Sequence, residues 1–276
     1  MNYECFEVSI ENQVAHIVLS RPEKRNAMNL SFWNDIQAIV EDIDDNAKAR
    51  AIVISSTGPI FCAGIDLSML SAVNGHGDKN KGDYGPAFYD TVTRLQDNLS
   101  ALEKCRVPVI VAIQGGCIGG GVDLVTAADI RLGTKDSYIC IQEINVGMTA
   151  DVGTFPRILN HMPEGIVKEL AYTGRKMGSD ELEKHGFYNS VHDTQEEAVQ
   201  AALDMAAEIA TKAPLAVYGC KRIITYARDH STADTLDQIG VWNMSMLVPN
   251  EMMEAMQAKM QKRDGKYLDL PKRKKG

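Results

Sequence analysis

The chain has 276 residues, 45% of them hydrophobic and 24% charged, the profile of an ordinary globular protein large enough for one or two sizeable cores. Its formal net charge of −8 argues against a nucleic-acid partner, because phosphate binding draws on a basic surface. No run of about 18 apolar residues offers a membrane span. The six cysteines show neither a CxxC pair nor metal-ligand spacing and read as reduced core thiols, so no metal site is expected. The opening MNYECFEVSIE has no apolar signal core and no Arg-rich presequence, which predicts a cytoplasmic protein.

Residues 3 to 19 alternate and turn at Glu11-Asn12, the pattern of a β-hairpin closed by Arg21-Pro22. From Asn29 a helix is predicted, with Trp33, Ile36, Val40 and Ile43 on one face and Glu41, Asp44 and Asp45 on a face turned to water. Ala51 to Ser55 is short and β-branched, a buried strand. Val73 to Tyr84 is rich in Gly, Asn, Asp and Lys without a period and reads as a mobile loop. A helix over Thr91 to Leu102, a strand over Pro108 to Ile113 and a strand over Tyr138 to Ile141 complete an α/β core with crossover helices. Beyond residue 195 only helices are predicted. Ala198, Ala202, Met205 and Ile209 form one stripe, Ser231 and Asp234 a capping box, and six methionines between Met244 and Met260 a packing surface. The expected division is a catalytic core over 1–195, a helical oligomerisation segment over 196–265 and a solvated basic tail over 266–276.

Three elements can carry chemistry. The first is Gly115-Gly116-Cys117-Ile118-Gly119-Gly120-Gly121-Val122-Asp123, between a buried strand and a possible helix. It has neither the Lys-Ser/Thr of a phosphate loop nor the glycine spacing of a dinucleotide site. It suits either tight strand-to-helix packing or backbone N–H groups brought close to an oxygen that gains charge. The second is Phe61-Cys62-Ala63-Gly64-Ile65-Asp66-Leu67, where a donor following Gly64 can serve the same oxygen. The third is a set of carboxylates near glycines and apolar residues, Asp123, Glu143 and Asp151. Each taken singly fits a helix N-terminus or a solvated loop; together they offer the raised proton affinities that acid-base work at carbon requires. No Ser beside the Gly cluster has a credible His partner, which argues against a peptidase.

The segments RPEKRNAMN, FCAGIDL, IQGGCIGGGVDLVTAADIRL, QEINVGMTADVGTFPRI and AYTGRKM, in this order, resemble the enoyl-CoA hydratase/isomerase (crotonase) superfamily over about residues 5 to 262. The resemblance implies a core of repeated ββα units with a C-terminal helical segment. Within the superfamily the chain is most similar to the branch that converts 3,5-dienoyl-CoA to 2,4-dienoyl-CoA. Hydratases have Glu where this chain has Asp123 and lack a carboxylate at the position of Asp151, while ADVGT, RDHS and WNMSM agree with the isomerase branch. The resemblance implies an oxyanion hole from the N–H groups of Ile65 and Gly120. It places the coenzyme A arm along Cys62, Ala63, Gly64 and Asp66 and the nucleotide near Lys24, Arg25 and Ala27. It implies Asp151 as the base at C2, Glu143 as the acid at C6 and Asp123 beside Glu143. It further implies an acyl-CoA substrate, no cofactor beyond the coenzyme A that the substrate carries, and a homo-hexamer built as a dimer of trimers. The alternatives are an enoyl-CoA hydratase and a non-catalytic acyl-CoA-binding protein on the same fold.

Overall fold

The computed structural model describes residues 3–66, 68–69 and 84–273. The expected hairpin forms between β1 (Phe6–Glu11) and β2 (Val14–Leu19), with Asn12 and Gln13 at φ 47° and 65° in the two-residue turn. Left-handed backbone at both turn positions matches the twist of the flanking strands. The strands that follow are β3 (Ala51–Ser56), β4 (Val109–Ile113), β5 (Gly116–Ile118), β6 (Ile130–Thr134), β7 (Tyr138–Cys140), β8 (Met177–Gly178) and β9 (Ser190–His192). One sheet has the order β1-β2-β3-β4-β6-β9 and is parallel from β2 onward; the other is β5-β7-β8.

β3 and β4 are buried along their whole length because both faces of the sheet are covered. Alternate side chains feed two cores. Ile52, Ile54, Val109, Val111 and Ile113 pack with α1 (Leu30–Asp45) and α2 (Tyr84–Lys104). Asn29 caps α1 by accepting from the Phe32 N–H. Chain order continues with α3 (Gly120–Thr126), α4 (Thr154–Ile158), α5 (Glu164–Thr173), α6 (Ser179–Lys184) and α7 (Gln195–Ala210). Ala51, Val53, Ile110 and Ala112 face α7. The buried stripe of α7 is Ala198, Ala202, Ala206 and Ala210, while Met205 and Ile209 lie at its border. Small side chains at i, i+4 spacing let the helix lie close on the sheet. The C-terminal helices are α8 (Pro214–Tyr226), α9 (Thr232–Met246) and α10 (Pro249–Met260), and the Ser231/Asp234 capping box opens α9.

Several expectations are corrected. Asp44 and Asp45 do not face water; both are buried, and Asp44 pairs with Arg106 at 2.7 Å and with Arg273 at 3.3 Å. Helical periodicity locates a face but not the cation that a distant segment brings to it. The supposed solvated tail is docked as far as Arg273: Arg106 donates to the Pro271 carbonyl, and the Arg273 N–H donates to the Asp45 carbonyl. Cys220 is exposed, unlike the other five cysteines. The loop expected from Val73 lies outside the described residues up to residue 83, and Tyr84 already belongs to α2.

Candidate active site

Two isolated parallel bridges draw the glycine segments together: Cys62 pairs with Cys117 of β5, and Met28 pairs with Ile65. In the second, the Met28 N–H donates to the Gly64 carbonyl (2.8 Å) and the Asp66 N–H donates to the Met28 carbonyl (3.0 Å). This register turns the N–H of Ile65 itself away from Met28. It lies next to Gly120, the first residue of α3, where a Cβ would sit 3.6 Å from the Ile65 nitrogen. Among the described residues neither the Ile65 nor the Gly120 N–H has an acceptor. Gly64 has φ +88°, and a Cβ there would come within 2.8 Å of the Ile118 carbonyl oxygen. Glycine is therefore what allows the two donors to converge. Two N–H groups so placed, one of them at a helix N-terminus, are of the kind that an oxygen gaining negative charge requires.

The three carboxylates are close enough to one another to raise each other's proton affinity. Asp123, one turn into α3, is buried, and one of its oxygens accepts from both the backbone N–H and the hydroxyl of Thr154, each at 2.7 Å. Burial pushes its carboxyl up to about 7 against the Thr154 bonds, with Glu143 and then Asp151 raising it further. Glu143 stands in a short 3-10 turn after β7, with Oε1 only 3.2 Å from where a Cβ on Gly119 would be. Its Oε2 is buried without a hydrogen-bond partner among the described residues. Burial raises its proton affinity, as does the charge of Asp151. Asp151 is half-buried between Ala150 and Val152, and burial raises it as well. Three carboxyls thus share one region in which full ionisation is opposed both by desolvation and by mutual repulsion.

A stability consequence attaches to Asp123. A carboxyl that titrates near 7 in the fold and near 3.8 when unfolded keeps a proton in the native state across that interval. Native stability therefore falls as the pH rises from about 4 to about 7, by at most about 4 kcal/mol. Asp123→Asn is expected to remove this slope. Its melting temperature should match that of the wild type near pH 4 and exceed it at pH 8, and a constant difference between the two proteins across that range would refute the raised titration.

Of the segments expected to line the site, 24–28 and 62–66 lie side by side, with Cys62 and Gly64 buried beneath that junction. The Ala63 N–H donates to the Arg25 carbonyl, which lays residues 24–28 beside 62–66; Lys24 and Arg25 are exposed, while Ala27, Ala63 and Asp66 are partly so. Arg21 fixes the junction by donating to the Ala27 carbonyl, with its guanidinium 3.9 Å from Asp66. His161 is spent elsewhere, between Arg131 and the Thr126 carbonyl, and is held down to about 4 by burial and by Arg131. Thr154 and Met28, whose sulfur would lie 2.9 Å from a Cβ on Gly120, also touch these residues and are not singled out by any motif in the sequence. A Thr following Gly at a helix start was the available signal for Thr154; nothing local marked Met28.

The model of the enoyl-CoA hydratase/isomerase family matches residues 9–269. The chain belongs to that family. It is 40% identical over 98% of its length to a mouse protein named Delta(3,5)-Delta(2,4)-dienoyl-CoA isomerase, mitochondrial, and covers 84% of that protein. It is 32% identical to an Arabidopsis thaliana protein of the same name, designated peroxisomal, with 98% of this chain and 99% of the relative covered. A crystal structure of an enoyl-CoA hydratase from Bacillus anthracis superposes with a TM-score of 0.86 at 24% identity, covering 96% of this chain and 99% of the other, which establishes the crotonase fold. The family relatives correct the expected cytoplasmic location: those named here are designated mitochondrial or peroxisomal. Buried free thiols do not distinguish the cytoplasm from another compartment.

Proposed function

We propose that this protein converts 3,5-dienoyl-CoA to 2,4-dienoyl-CoA, with the thioester oxygen held by the N–H groups of Ile65 and Gly120. Asp151 removes a proton from C2, the negative charge spreads onto the held oxygen, and Glu143 delivers a proton to C6. Both double bonds shift toward the carbonyl. One proton leaves the substrate and one enters it, so Asp151 ends protonated and Glu143 ionised, and exchange with solvent resets the pair. Only protons move, and coenzyme A arrives as part of the substrate. The observation that carries this reading is the third carboxylate. Asp123 has one oxygen committed to Thr154, while Asp151 adds a further titrating group close enough to Glu143 to raise it. The names of the mouse and Arabidopsis relatives support the same substrate.

The deciding experiment is a spectrophotometric assay with 3,5-dienoyl-CoA in parallel with a 2-enoyl-CoA. Rapid formation of the conjugated 2,4-diene with slow or absent hydration is expected. Hydration faster than isomerisation would favour the hydratase reading, and tight binding of both esters without turnover would favour a binding protein.

The same reading includes a homo-hexamer. Met244, Met253, Met256 and Met260 on α9 and α10 are 81%, 59%, 61% and 77% exposed, a soft apolar surface suited to another copy of the chain. Light scattering at micromolar concentration should return about six chain masses; a monomer would refute this part.

A further inference from the structure

The segment bearing Asp151 is strapped to one stripe of α2. Gln96, Ser100 and Glu103 are spaced at i, i+4 and i+7 and so share one face of that helix, opposite Leu95, Asn98 and Leu102 in the core. Gln96 Nε2 donates to the Asp151 carbonyl at 2.6 Å. Arg157 reaches the same stripe from α4: its Nη2 donates to Ser100 Oγ at 2.9 Å and its Nε to Glu103 at 3.4 Å, while Nη1 touches the Val152 carbonyl at 3.5 Å. Ser100 in turn donates to the Gln96 carbonyl at 2.6 Å. Glu103 also receives Arg228, which anchors the end of α8 to this cluster. Gly153 has φ +136°, and a Cβ there would fall 1.9 Å from Arg157 Nη1. The guanidinium thus lies directly against the backbone that separates Asp151 from Thr154.

We propose that Gln96 and Arg157 are positioning residues that set the Asp151 carboxylate, through the backbone on either side of it, at the distance its substrate proton requires. The inference rests on the reading of Asp151 as the C2 base. Packing alone does not account for the arrangement, since a half-buried helix face needs no neutral amide aimed at the one carbonyl belonging to the proposed base. Proton transfer is steep in distance, and a misplacement of about 1 Å can cost up to about a hundredfold. Ground-state binding of the thioester, made elsewhere by the Ile65 and Gly120 donors, is independent of this strap.

Gln96→Met keeps the side-chain length and removes the donor without placing a charge. It is expected to lower kcat for 3,5-dienoyl-CoA and the rate of C2 proton exchange with deuterated solvent together, by about tenfold, with KM changed less than about twofold. The melting temperature should stay at the wild-type value. Arg157→Lys, which keeps a cation for Glu103 but loses the fork, should show the same split between kcat and KM. Wild-type kcat and exchange in Gln96→Met would overturn the inference alone. A loss that tracks a lowered melting temperature would also overturn it, in favour of a merely structural role. Absence of C2 exchange in the wild type would overturn both the inference and the reading beneath it.

Discussion

Glu143→Gln is expected to lower turnover of 3,5-dienoyl-CoA by roughly two or more orders of magnitude while leaving thioester affinity nearly unchanged. The amide has the volume of the carboxyl and still offers an N–H, but it cannot release a proton to C6. Glu143 is suited to hold that proton: burial and the charge of Asp151 both raise its affinity, and its Oε2 has no acceptor or donor among the described residues that would take its place. Glutamine matches a protonated Glu143 in shape and charge, so the fold should not weaken. Lost turnover with an unchanged or raised melting temperature is the expected pair of results. A variant that keeps near-normal turnover would show that the proton reaching C6 comes from another group.

The strands and helices were legible because their burial follows short-range pattern. The hairpin turn expected at Glu11-Asn12 lies one residue later, at Asn12 and Gln13, while the β-branched run at 51–55 specifies its strand without help from distant segments. The carboxylates were legible as a set because Asp123, Glu143 and Asp151 each follow a glycine-rich or strand-ending signal. What holds them was not. Thr154 meets Asp123 across 31 positions and Gln96 meets Asp151 across 55, and no local periodicity encodes such contacts. The same limit explains Asp44, which looks solvent-facing on a helical wheel until Arg106, 62 positions away, is placed beside it. A donor after Gly64 was legible from the glycine itself, but its pairing with Gly120 came through the resemblance; physically the two segments meet through the Met28–Ile65 bridge, which no local pattern marks.

Asp151→Asn is expected to abolish exchange of the C2 proton of 3,5-dienoyl-CoA with solvent deuterium, and with it isomerisation, while the thioester still binds. The base at C2 must be ionised to act, so the exchange rate in the wild type should fall as the pH drops through the Asp151 titration. Because burial raises that titration, the acidic limb should lie above the ordinary carboxylate range. Asparagine is uncharged at every pH and can take no proton, so the variant should show no limb, only a uniformly low rate. Asp123 is the competing candidate, since it too titrates high, but Thr154 supplies two hydrogen bonds to one of its oxygens and a proton acceptor held in that way is less free to turn toward carbon. Glu143 is the other, and Glu143→Gln separates it: if Glu143 only supplies C6, that variant should still exchange at C2 although it cannot complete the reaction. Wild-type C2 exchange in Asp151→Asn, together with its loss in Glu143→Gln, would reverse the two assignments and leave the Asp151 carboxylate with a polarising role.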